Sequence, residues 1–163
     1  GLSDRALLAL GAELGALRAR TPFWFALHDR AHLVAALGAE ALHLSFRSLA
    51  PEAARSALAP GVTLGLSTHA DDARAGWCGV DYLFHGPLHA TPSKAGRLAP
   101  VGFEGLAAAV ADAPSPLFAL GGVRPEDVAR VRALGAHGVA VLSGILGAAE
   151  PARATAAYLA ELA

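Results

Sequence analysis

Short apolar runs alternate with amphipathic stretches along this chain, and the alternation predicts strands and helices in turn. Ser3-Asp4 supplies a cap, and Leu7, Leu10, Leu14 and Leu17 follow at helical spacing until Thr21-Pro22 ends the helix. Phe23 to Leu27 is a continuous apolar run, short enough for a buried strand. An Ala/Leu helix then runs to Gly38, and Ala41 to Leu44 form the next strand. Pro51 suits the first turn of a helix reaching Leu58, which Pro60-Gly61 closes. Val62 to Leu66 reads as a strand, Asp71 to Gly76 as a helix, and Tyr82 to Phe84 as a strand broken by Gly86-Pro87. Phe103 to Ala111 predicts a helix and Leu117 to Leu120 a strand. Pro125-Glu126-Asp127 starts a helix with Val128, Val131 and Leu134 inward, Val139 to Leu142 is the last strand, and an Ala-rich helix closes the chain from Pro151.

Strands that are short apolar runs, each followed by a helix, imply a parallel sheet covered on both faces. The polar clusters fall just after strands, on one rim. A doubly wound sheet would gather its chemistry at one switch point, whereas here nearly every strand ends in candidate residues. The fold expected is therefore α/β, a TIM-type (βα)8 barrel. About six strands are counted where that class has eight, so the first strand-helix units are expected to be absent from this chain. Residues 1–163 read as a single barrel domain, N-terminally incomplete, since the chain opens on Gly1 and contains no methionine. An open barrel would expose strand edges, and a homo-oligomer is one way to cover them.

Composition narrows the function classes. With 13 Lys and Arg against 14 Asp and Glu, the near-zero net charge excludes a phosphate-backbone reader, so no nucleic acid is expected. No apolar run approaches the ~20 residues of a membrane span, and no secretory signal opens the chain. The single cysteine, Cys78, fits a reducing, cytoplasmic setting and reads as a small buried residue. His28 and His32 stand at i,i+4 spacing, but His28 sits at a strand end, which argues against a zinc pair.

Two regions carry the candidate chemistry. In DYLFHGPLHATPSK, the loop after the strand holds Thr91, Ser93 and Lys94, the only lysine in the chain. Hydroxyl donors beside an ammonium suit a phosphate or pyrophosphate. The second region is the pair of loops after the last two strands, Gly121-Gly122 and Ser143-Gly144. Glycines let backbone N–H groups approach an anion closely, Ser143 adds a hydroxyl, and a following helix adds its dipole. A phosphate site is expected there.

The segments HDRAHL…GAEALHL, LGLSTH, VDYLFHGPLHATPSK, LFALGGV and GAHGVAVLSGI resemble, in this order, the thiamine phosphate synthase family and its TenI-like thiazole tautomerase branch. The resemblance implies thiamine biosynthesis on phosphate-ester substrates. The synthase joins a pyrimidine pyrophosphate to a thiazole phosphate using Mg²⁺; the tautomerase isomerises a thiazole carboxylate phosphate and needs no cofactor. It implies that Gly121, Gly122, Ser143 and Gly144 hold the thiazole phosphate, and that in the synthase Ser67, Thr91, Ser93 and Lys94 hold the pyrophosphate.

The departures decide the branch that the sequence favours. The family's Asn-Asp pair appears as His28-Asp29, and its Gln-x-Asp stretch as Phe46-Arg47-Ser48, leaving Asp29 as the one metal carboxylate. That loss favours the tautomerase over the synthase, with a phosphate-binding member lacking turnover as a third reading. Proton transfer wants a histidine. The branch's histidine position is Pro87 here, so His89 and His85, which flank it, are the catalytic candidates together with Lys94.

Overall fold

The computed structural model describes residues 2–91, 96 and 98–162, which form two compact units, Gly1–Leu66 and Ser67–Ala163, with the boundary inside the third strand. Ser93 and Lys94 lie outside the described residues. Six strands run parallel and lie in sequence order within each unit, as the α/β reading requires.

In the first unit, α1 (Asp4–Arg18) starts where the Ser3 hydroxyl accepts the Ala6 N–H at 3.3 Å. It is followed by β1 (Ala26–His28), α2 (Val34–Leu37), β2 (Ala41–Leu44), α3 (Pro51–Ala57) and β3 (Thr63–Thr68). Leu27 registers on Leu42, and Leu42 on Leu64. These three leucines are buried, as are Leu33 and Val34 from the helical layer. β1 starts later than the apolar run predicts. The Phe25 N–H is spent on the Glu40 carboxylate at 3.0 Å, and Trp24 is exposed, so hydrophobicity alone misplaced the strand's start.

The second unit takes up the end of β3 and continues with β4 (Tyr82–His85), α4 (Gly102–Asp112), β5 (Leu117–Leu120), α5 (Val128–Ala133), β6 (Gly138–Ala140), the one-turn α6 (Ser143–Leu146) and α7 (Pro151–Ala160). Leu83, Leu106, Val128 and Val131 are fully buried. The helix expected over 71–76 is replaced by a 3-10 turn, Arg74–Trp77. The Asp72 carboxylate turns back to accept the His69 N–H at 2.6 Å, which closes a local turn and leaves little room for a helix before Gly76. Cys78, expected buried, is exposed beside this turn. Among the described residues no helix is long and apolar enough to cross a membrane.

Candidate functional site

The loop after β4 and the Gly-Gly loop after β5 form one structure. Gly86-Pro87 is a cis peptide. Beyond it Leu88 and His89 donate their N–H groups to the carbonyls of Leu120 and Gly121, at 2.8 and 3.0 Å. The fit leaves no room for side chains. A Cβ on Gly86 would lie 2.0 Å from the Leu120 carbonyl oxygen, and one on Gly121 2.6 Å from the Pro87 Cβ. Gly121 and Gly122 also have φ of 90° and 68°, a region closed to most L-residues. The glycine pair is thus demanded twice, by backbone conformation and by close approach. A Cβ on Gly122 would face Thr91 Cγ2 at 3.2 Å, which sets Thr91 beside the glycine loop.

Gly122 opens onto a small cavity of about 170 Å³, lined by Val123, Arg124, the 140–142 backbone, Ser143, Gly144 and Tyr158. Among the described residues, no acceptor takes the N–H groups of Gly122, Val123, Ser143 or Gly144. Ser143 and Gly144 are exposed and Gly122 is half-buried, so these donors edge a cavity that an anion can reach from solvent. Its volume is below the several hundred Å³ of whole-substrate pockets, so it accepts a single group. α6 is one turn long, and the donors of residues 143 and 144, more than a helix dipole, give this edge its character. Tyr158, from α7, closes the far wall. Its hydroxyl donates to the Val123 carbonyl at 2.9 Å, and a Cβ on Gly144 would come within 2.5 Å of that hydroxyl.

The histidines separate by environment. His89 is half-buried, its Nε2 3.0 Å from the Asp127 carboxylate, which also accepts the Arg124 N–H at 2.8 Å. Its ring meets Phe103 edge-on at 5.5 Å. His85, by contrast, is 1% exposed, with Nδ1 2.9 Å from the Thr68 hydroxyl and its ring against Trp77. Burial, with smaller effects from Arg74 and His69, lowers its pKa from 6.5 to about 4. A neutral imidazole closed off from solvent suits a structural tie between β3 and β4 within this unit better than proton exchange with a substrate. Ser67 stands at the end of β3.

In the first unit, Asp29 and Arg30 both take positive φ, at 55° and 57°. Neither is glycine, and adjacent non-glycine residues held this way mark a constrained turn. Asp29, Arg30, His32, Arg47 and Ser48 line a cavity of about 650 Å³ floored by Leu42 and Leu44. Arg30 and His32 are both engaged by Asp4, at 2.6 and 2.7 Å, while Arg47, also lining the cavity, has its guanidinium over the Phe46 ring at 5.2 Å. Hydrogen bonding from His32, followed by the charges of Arg30 and His32, lowers the Asp4 pKa.

Magnesium wants hard oxygen ligands, preferably anionic. The Asp29 carboxylate already accepts the Ser48 hydroxyl, and its other oxygen lies 3.5 Å from His28 Nε2. Ser48 stands where the resemblance placed a second carboxylate, and Arg47 brings positive charge into the same cavity. Among the described residues no group of three His, Cys, Asp or Glu converges on a metal position. These residues do not fit a dedicated magnesium seat.

Arg124, Asp127 and Tyr158 were not singled out from the sequence. A signal existed for two of them: Arg124 lies two residues beyond the glycine pair, and Tyr158 is the lone aromatic in an Ala-rich helix.

Comparison with known proteins gives a consistent result. Residues 1–145 match the family model described as thiamine monophosphate synthase. The chain is 38% identical to the thiamine-phosphate synthase of Salinispora arenicola, over 98% of this chain and 78% of that protein. It is 34% identical to a putative thiamine-phosphate synthase of Geobacter sulfurreducens, over 99% of this chain and 76% of the relative. Among solved structures it is similar to thiamine phosphate pyrophosphorylase from Pyrococcus furiosus, with a TM-score of 0.83 and 27% identity, covering 99% of this chain and 78% of that one.

Proposed function

The chain belongs to the thiamine monophosphate synthase family, and from that premise we propose that it joins a pyrimidine pyrophosphate to a thiazole phosphate with release of pyrophosphate. The observation that carries this reading is the cavity edged by the N–H groups of Gly122, Val123, Ser143 and Gly144, which no described residue accepts and which suit the phosphate of the thiazole partner. Thr91, beside Gly122, begins the hydroxyl-and-lysine stretch that the departing pyrophosphate would meet, with Ser93 and Lys94 following in sequence and Ser67 at the end of β3.

The chain's own groups divide the work by charge. Backbone donors fix the thiazole ester without changing protonation. Hydroxyls and the Lys94 ammonium would stabilise negative charge as it gathers on pyrophosphate. His89, held by Asp127, is the candidate for a proton step or for orienting a substrate group. No step here is routed through a metal held by Asp29.

The preference for the tautomerase branch is not carried forward. It rested on the missing metal carboxylate, while the relatives at 38% and 34% identity are named synthases. A carboxylate count reports metal affinity and says little about which carbon centre reacts.

Pyrophosphate release from the two substrates, followed by a coupled phosphatase assay, tests the reading. Turnover that needs both substrates is expected. Binding of thiazole phosphate without release would leave a phosphate-binding protein, and proton exchange on a thiazole carboxylate phosphate would restore the tautomerase.

A further inference from the structure

The cup after β5 and β6 has a charge problem that its backbone cannot solve. A phosphate monoester is largely a dianion near neutral pH, and the amides that edge the cavity carry partial positive charge but no net charge. Among the residues lining it, Gly122, Val123, Ala140, Val141, Leu142, Ser143, Gly144 and Tyr158 are all uncharged, and Arg124 alone carries a cation.

Arg124 is placed to meet an anion. Its backbone N–H is fixed by Asp127 at 2.8 Å, and Tyr158 holds the preceding carbonyl, Val123, at 2.9 Å. The stem of the side chain is therefore anchored on both sides of the peptide. The side chain is 72% exposed, and among the described residues its guanidinium has a loose ion-pair neighbour in Glu126, at 4.0 Å. Two other cations of this unit are committed elsewhere: Arg74 lies over Trp77 and pairs with Asp112, and Arg130 lies over Phe103 at 3.8 Å. A planar fork with several donors on a fixed root suits bidentate binding to phosphate oxygens.

We infer that Arg124 is the charge-bearing, specificity-determining residue of the phosphate cup, closing over the ester from the open side while the backbone amides hold it from below. The inference rests on the phosphate reading of the cup. It makes recognition depend on the ester's charge, so that a thiazole alcohol lacking phosphate is rejected. Glu126 is the group that Arg124 leaves on binding.

Isothermal titration of the full chain with inorganic phosphate, then with the thiazole phosphate and its alcohol, separates the possibilities. Arg124 is exposed, so Arg124→Ala should fold normally. Its affinity for phosphate is expected to fall at least about tenfold, with a shallower salt dependence, and its preference for ester over alcohol to shrink by a similar factor. Arg124→Lys should recover part of the affinity. Gly122→Asp, which puts a carboxylate where the donors converge, serves as the control for the cup itself. Arg124→Ala binding within twofold of wild type, with Gly122→Asp binding nothing, would overturn the role of Arg124 and leave the cup standing. Wild-type protein that binds no phosphate, or Gly122→Asp that binds like wild type, would remove the cup and the arginine's role together.

Discussion

Mild acid should destabilise this protein through two buried histidines, and the size of the effect follows from their surroundings. Burial lowers the pKa of His85, and likewise of His43, from 6.5 to about 4. In the unfolded chain both imidazoles take up a proton near pH 6.5, while the folded protein resists until about pH 4. Between those values the unfolded state binds more protons, so stability is full above pH 6.5 and drains away as pH falls towards 4. A shift of this size corresponds to about 3 kcal/mol for each histidine once the window is crossed, and about 2 kcal/mol at pH 5. That is a large share of the ~5–15 kcal/mol expected of a domain. Urea unfolding at pH 7 and pH 5 measures the loss. Replacing His85 by Asn removes one titrating ring and should remove roughly half of the acid sensitivity, even if the variant starts less stable at pH 7. An unchanged difference between the two pH values in His85→Asn would refute the argument.

Other perturbations test other parts of the structure. Gly121→Ala combines a positive φ of 90° with a Cβ 2.6 Å from the Pro87 Cβ. Strain and overpacking together should cost about 2–5 kcal/mol in urea melts; a loss under about 1 kcal/mol would show that the β4 and β5 loops are not packed as described. Ser48→Asp supplies a second carboxylate beside Asp29 and should raise affinity for Mg²⁺ by about tenfold or more, read by calorimetry. No change would mean that the donor set is not what limits the metal there. Lys94→Ala should weaken inorganic pyrophosphate binding far more than thiazole phosphate binding, and equal losses would reassign the lysine.

Much of this was legible along the chain, and the exceptions are instructive. β2 and β5 match their apolar runs residue for residue, because short runs bounded by Glu40 and Ser45, and by Pro116 and Gly121, leave little choice of bounds. The Gly-Gly and Ser-Gly loops were visible because close backbone approach and positive φ need residues without bulk. His85, read from the sequence as a catalytic candidate beside Pro87, is buried in the structure. Side chains alternate along a strand, so His85 shares a face with Leu83, which is fully buried, and that parity was available from sequence. Tyr158 stood out in sequence only as a lone aromatic. It reaches a carbonyl 35 residues earlier, a relation that no local pattern encodes. The turn at 69–72 replaced a helix because an aspartate side chain competed for a backbone N–H, a contest that periodicity does not weigh.

The central claim is that backbone N–H groups after β5 and β6 gather round a phosphate. Amide NMR during titration with inorganic phosphate tests it most directly. The account predicts that the resonances of Gly122, Val123, Ser143 and Gly144 move together on one binding curve, while amides in the strand interiors stay still. Saturable binding that leaves those four resonances in place and moves another set would contradict it.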